Sequence, residues 1–93
     1  YYVSVQPHNS NGPISTVASL QLDACIPNLL IQEFFYPYLE RYNQILTVPL
    51  EYQDGHLKIP RGPGMGTDIN ENVIEQYPPM DLPHTATWMG SYW

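Results

Sequence analysis

Two titratable side chains, His8 and Glu33, each close a short apolar run. The runs read Tyr1-Tyr2-Val3-Ser4-Val5-Gln6-Pro7-His8 and Asn28-Leu29-Leu30-Ile31-Gln32-Glu33. An imidazole exchanges a proton near neutral pH, and a carboxylate beside it can orient a substrate or, when protonated, hydrogen-bond an oxyanion. The two residue types suit general acid/base chemistry if they face one crevice. The plain alternative is a hydrogen-bonded loop histidine and a solvent-facing glutamate. What favours a shared site is position, because the carboxyl ends of neighbouring parallel strands open on the same side of a sheet.

The other chemistry-bearing residues carry weaker signals. Gly62-Pro63-Gly64-Met65-Gly66 has the glycines of a phosphate cradle. It lacks the Lys-Ser/Thr of a P-loop and the spacing of a dinucleotide fingerprint, so it reads as a structural turn. His56 and His84 read as surface residues. No pair of histidines or cluster of cysteines has metal-ligand spacing. Asp68, Glu71 and Glu75 read as helix-terminal and solvated charges.

The elements that must position His8 and Glu33 follow from local pattern. Tyr1 to Gln6 is rich in aromatic and β-branched residues, and Pro7, which cannot donate a ladder hydrogen bond, ends that strand. Gly12 and Pro13 turn the chain into a helix expected to run to about Cys25, where Pro27 stops it. Ile14, Val17, Ala18, Leu22 and Cys25 recur at helical spacing and predict the packed face, with Cys25 in a buried setting. Leu29 to Ile31 is continuously apolar, the pattern of a parallel strand covered on both faces. Strand, helix and strand make a βαβ unit. Residues 34–47 read as a loop with a short helix around Pro37. Asp54-Gly55 between short runs signals a hairpin within Leu50 to Ile59. Asp68-Ile69-Asn70-Glu71 resembles a capping box opening a helix through about Gln76. Beyond Tyr77, three prolines forbid regular structure, and the tail is expected to lie extended with Trp88 and Trp93 as anchors.

Composition limits the function classes. A chain of 93 residues is one small domain or a piece of a larger one. Leu, Ile, Val and Phe fill about a quarter of it, enough for a folded core. The net charge is −6, with Arg41, Lys58 and Arg61 as the cations, so nothing is available to neutralise a run of phosphates. Nucleic acid is not an expected partner. One cysteine cannot form an internal disulfide, which fits a reducing, cytoplasmic setting, and no apolar run is long enough to span a bilayer. The first run is already strand-like at Tyr1, without a Met or a polar lead-in, so the chain reads as starting inside a larger protein.

The stretch Pro7-His8-Asn9-Ser10-Asn11-Gly12-Pro13-Ile14, with Leu20-Gln21-Leu22-Asp23-Ala24, Pro27-Asn28 and Ile31-Gln32-Glu33, closely resembles the last part of the enolase superfamily barrel. The nearest likeness is to mandelate racemase-like sugar-acid dehydratases of the galactonate dehydratase type. Asp54-Gly55-His56-Leu57, Pro60, Gly62-Pro63-Gly64-Met65-Gly66 and Asp68-Ile69-Asn70-Glu71 resemble the segment that follows that barrel. The family often has Pro-Leu where this chain has Ser10-Asn11, which alters the loop beside His8. The resemblance implies an α/β fold, the C-terminal part of a modified (β/α)₈ barrel. Residues 1–49 would be its last β/α units, and residues 50–93 a hairpin, short helix and tail packed on a capping domain. It implies that His8 is the acid/base at the end of the seventh strand and that Glu33, on the eighth, stabilises substrate or intermediate. It further implies Mg²⁺, with ligands upstream of this segment and none within it.

The expectation is therefore the C-terminal segment of an Mg²⁺-dependent sugar-acid dehydratase, inactive as a separate piece and homo-oligomeric when full length. Its substrate would be a small sugar acid, with no membrane partner. One alternative is a racemase or cycloisomerase of the same superfamily. Another is a non-catalytic module binding through its Tyr- and Pro-rich second half.

Overall fold

The structure, a computed structural model, describes residues 2–79. An extended amino-terminal segment leads into helix α1 (Pro13–Asp23). A second extended segment and a 3₁₀ turn (Tyr36–Tyr38) lead into α2 (Leu39–Ile45). Strands β1 (Tyr52–Gln53) and β2 (His56–Leu57) form a hairpin, and α3 (Glu71–Ile74) closes the described chain. His84 and the tail anchors expected at Trp88 and Trp93 lie outside the described residues.

The extended segments are parallel neighbours, as the βαβ pattern requires. Val5 N–H donates to Asn28 O and Leu30 N–H to Val5 O, both at 2.9 Å, making a parallel bridge between Val5 and Leu29. Asn28 Nδ2 adds a bond to Val3 O at 2.8 Å. The pairing is a single bridge and not a ladder. The expectation that Leu29 to Ile31 is covered on both faces is not met: Leu30 is 67% exposed and Ile31 55%. A parallel strand is buried only when helices cover both faces and strands flank both edges, and the described residues supply one strand neighbour.

Helix α1 starts where Pro13, whose missing N–H would be unpaired anyway, takes the first position, and Thr16 N–H bonds back to Gly12 O at 3.2 Å. It ends at Asp23, two residues short of the expected Cys25, with Ala24 and Cys25 closing the last turn onto Leu20 and Leu22 carbonyls. The packed face also differs from expectation. Thr16, Val17 and Leu20 are buried, whereas Ala18, Leu22 and Cys25 are exposed. Both stripes have helical spacing and differ by about a third of a turn. The stripe carrying Leu20 is the one that meets the rest of the described chain.

That meeting is the core. Val17 and Leu20 are buried with Leu46 and Leu50, and Ile14, Phe34, Leu39 and Tyr42 pack around them. Leu50 is held there because Asn43 accepts its N–H at 2.7 Å and donates to its carbonyl at 3.1 Å. An antiparallel bridge between Leu46 and Ile69 ties in the last segment, through Thr47 N–H to Asp68 O at 2.8 Å and Asn70 N–H to Ile45 O at 2.7 Å.

The hairpin falls where Asp-Gly signals it, pairing Tyr52 with Leu57 and Gln53 with His56. Asp54 and Gly55 have φ of 50° and 79°, the two positive values that a tight primed turn needs. His56 is exposed, and its Nδ1 lies 2.8 Å from Asp54 O. The glycine-rich segment is a turn, with Gly66 packed so closely that a Cβ would stand 2.6 Å from Pro60 Cβ. Gln21 of α1 clamps it by donating from Nε2 to Pro60 O at 3.0 Å and Met65 O at 3.2 Å. The capping box expected over residues 68–71 is not made. Asn70 is the N-cap without a side-chain bond, and Asp68 Oδ1 instead accepts the Ile69 N–H at 2.7 Å. Without the reciprocal bonds α3 ends at Ile74, and turn hydrogen bonds alone continue through Gln76 to Tyr77.

Candidate acid/base site

The parallel bridge sets two chain segments side by side, and His8 and Glu33 follow it on the same side. His8 Nε2 stands 3.9 Å from Glu33 Oε2. The side chains are 78% and 45% exposed, so the pair sits on an open surface where water screens its charges. Both residues named from sequence are thus together.

What holds Glu33 is the residue after His8. Asn9 is 3% exposed, and its main-chain N–H donates to Glu33 Oε2 at 2.5 Å. Its Nδ2 donates to Glu33 O at 3.3 Å and to Thr16 Oγ1, in α1, at 3.0 Å. The Thr16 hydroxyl in turn reaches Gly12 O at 3.4 Å. Strand tip, loop and helix start therefore share one polar cluster. The sequence pattern gives Asn9 no role of its own. Its one signal, a side-chain amide next to a strand-end histidine, is shared by many loops. The loop is also tied to α2, because Tyr42 Oη donates to Asn11 O at 2.6 Å. Burial, and secondly the neighbouring Tyr38, pushes the Tyr42 phenol up from its ordinary range.

A separate open cleft of about 600 Å³ lies between α1, the second extended segment and the hairpin, lined by Leu20, Asp23, Leu29, Tyr36, Tyr52 and His56 among others. His8 and Glu33 do not line it. Neither carboxylate oxygen of Asp23 has a hydrogen-bond partner or solvent contact, and this desolvation pushes its pKa up.

The Mg²⁺ that the resemblance implies takes near-octahedral oxygen coordination, normally with carboxylates. Among the described residues, no three His, Cys, Asp or Glu side chains cluster to hold a metal ion. Glu33 stands beside an imidazole and already accepts a main-chain N–H. The described residues do not make such a site. Among them, too, no helix is long and apolar enough to cross a membrane.

The chain is similar to known proteins in sequence and in fold. A family model described as "Enolase C-terminal domain-like" matches residues 1–73. The D-gluconate dehydratase of Thermoproteus tenax is 34% identical over 86 residues, covering 89% of this chain and 17% of that protein. The muconate cycloisomerase 1-1 of Acinetobacter lwoffii is 42% identical over 67 residues, 71% of this chain and 17% of that protein. A solved structure from Burkholderia xenovorans strain LB400, of a provisionally named L-alanine-DL-glutamate epimerase bound to magnesium and fumarate, superposes with a TM-score of 0.77 at 38% identity. It covers 86% of this chain and 20% of that one. The chain thus spans less than a fifth of the length of these two curated relatives.

Proposed function

Because the chain belongs to the enolase C-terminal domain-like family, we propose that it is the C-terminal part of a sugar-acid dehydratase in which His8 and Glu33 form part of the catalytic site. On this reading residues 1–49 are the last β/α units of a (β/α)₈ barrel. Residues 50–93 are the segment that follows it. The observation that supports the reading is the 3.9 Å approach of an imidazole to a carboxylate at the tips of parallel neighbours. In such barrels the carboxyl ends of the strands carry the catalytic groups.

The reaction is loss of water from a polyhydroxy acid. Removal of the proton α to the carboxylate leaves an enediolate, the β-hydroxyl departs with a proton as water, and the enol becomes a 2-keto-3-deoxy acid. His8 can take the α-proton or give one to the departing hydroxyl, as a solvent-reachable imidazole does. Glu33, fixed by the Asn9 N–H, orients the substrate hydroxyls. The metal expected from the family needs ligands other than those described here, and no step is assigned to it.

The test uses the complete protein carrying this chain, offered a panel of aldonates that includes D-gluconate and D-galactonate. Formation of a 2-keto-3-deoxy acid is the expected outcome. His8→Asn should lower turnover by roughly 10²–10⁴-fold, the usual worth of a positioned acid/base group. Near-normal turnover in that variant would sink the assignment.

The likeness to a muconate cycloisomerase favours a second reading, isomerisation through the same kind of proton abstraction. Product mass separates the two, since only a dehydratase product is lighter than its substrate by one water.

A further inference from the structure

We propose that Asn9 is a positioning residue for this pair, setting Glu33 directly and His8 through the main chain. The proposal rests on the acid/base reading of His8 and Glu33. Asn9 and Thr16 are the buried polar residues among those described. Asn9 grips Glu33 at both ends, its N–H on the carboxylate and its Nδ2 on the carbonyl. A glutamate side chain that is 45% exposed has several rotamers open to it, and the N–H bond at 2.5 Å selects one. His8 is the preceding residue, so fixing the Asn9 main chain fixes the base of the imidazole as well.

The amide orientation shows how specific the arrangement is. Glu33 O can only accept, so Nδ2 must face it, and Oδ1 is left buried with no donor. A buried acceptor without a partner is destabilising. An alanine would lack that acceptor, but it would also take away the donor that Glu33 O and Thr16 Oγ1 share. Thr16 completes the device by anchoring the amide to α1, so the start of the helix sets where the carboxylate stands. Misplacing a catalytic group by about 1 Å can cost about 10²-fold in rate.

The experiment uses the complete protein with D-gluconate. Asn9→Ala should lower kcat by about 10–100-fold with KM little changed, since the loss falls on orientation in the transition state. Thr16→Val, which removes the anchor but keeps the shape, should lower kcat by about tenfold and decides the matter if Asn9→Ala does not fold. Both costs should be smaller when Glu33 is already Ala, because the part of each that acts through the Glu33 side chain is then gone. Equal costs in both backgrounds would overturn the proposal. Normal turnover in Glu33→Gln and His8→Asn would overturn the functional reading instead. If D-gluconate is not turned over, selective ¹⁵N-asparagine labelling still reads the contact. The Asn9 main-chain amide signal should then shift in Glu33→Ala, which removes its acceptor, and shift by less in Thr16→Val, which loosens the anchor. An amide indifferent to Glu33→Ala overturns the proposal without touching the reaction class.

Discussion

His8 faces water while its neighbour Asn9 is almost wholly buried, and this contrast organises the chemistry at the residue scale. The two titratable groups were legible in the sequence because each is a polar interruption at the end of an apolar run. Asn9 was not, since its partners Thr16 and Glu33 lie 7 and 24 residues away and its amide has no distinguishing neighbour in the chain. Asp23 was equally silent. It is the last residue of α1, where the helix dipole already disfavours negative charge, and desolvation adds to this. A carboxyl whose folded pKa is raised holds more protons folded than unfolded between the two values. Stability therefore falls as pH rises through the unfolded value and is lowest above the folded one. Asp23→Asn should raise the thermal midpoint at about pH 7 and lose that advantage near about pH 3, below the ordinary carboxylate range. Melts of variant and parent at the two pH values check the sign.

At the scale of elements, turns were more legible than helix faces. A turn signal such as Asp54-Gly55 names a backbone conformation that few other residues accept, so it fixes its own geometry. A helical stripe names only a periodicity, and α1 carries two stripes that satisfy it. Which one is buried depends on Leu46 and Leu50, far along the chain. The capping box failed for a related reason: Asp68 found a nearer donor in Ile69 N–H. The turn at residues 62–66 supports a contrast between two glycines. Gly66 has φ of 81° and Pro60 against it, so Gly66→Ala should cost about 1–3 kcal/mol through strain and collision. Gly12 has a negative φ and open space for 4 Å around the point where a methyl group would stand, so Gly12→Ala should be close to neutral. Amide hydrogen exchange over residues 60–66 should quicken in the first variant and stay unchanged in the second.

For the molecule as a whole, the parallel pairing of the two extended segments was readable from the βαβ pattern. The surroundings of the second were not, because a continuous apolar run states what a strand needs and not whether it is supplied. Among the described residues, Leu22, Leu30, Ile31 and Val3 remain more than half exposed around a core of four buried apolar side chains. The 93-residue chain by itself should accordingly melt broadly and enhance the fluorescence of a dye that binds apolar surface. A sharp, cooperative melt of a monomer would favour the binding-module alternative. The clamp from Gln21 to Pro60 and Met65 bears on the order of assembly. It joins residues 39 and 44 positions apart, and closing a loop of that length costs roughly 3 kcal/mol in chain entropy. A neutral hydrogen bond returns only about 1 kcal/mol net. The amide therefore cannot draw the two halves together, and it locks only after apolar contacts have done so. During synthesis the Gln21 amide stays bonded to water until the 60–66 turn has emerged, so its transfer to Pro60 and Met65 reports that the two halves have docked.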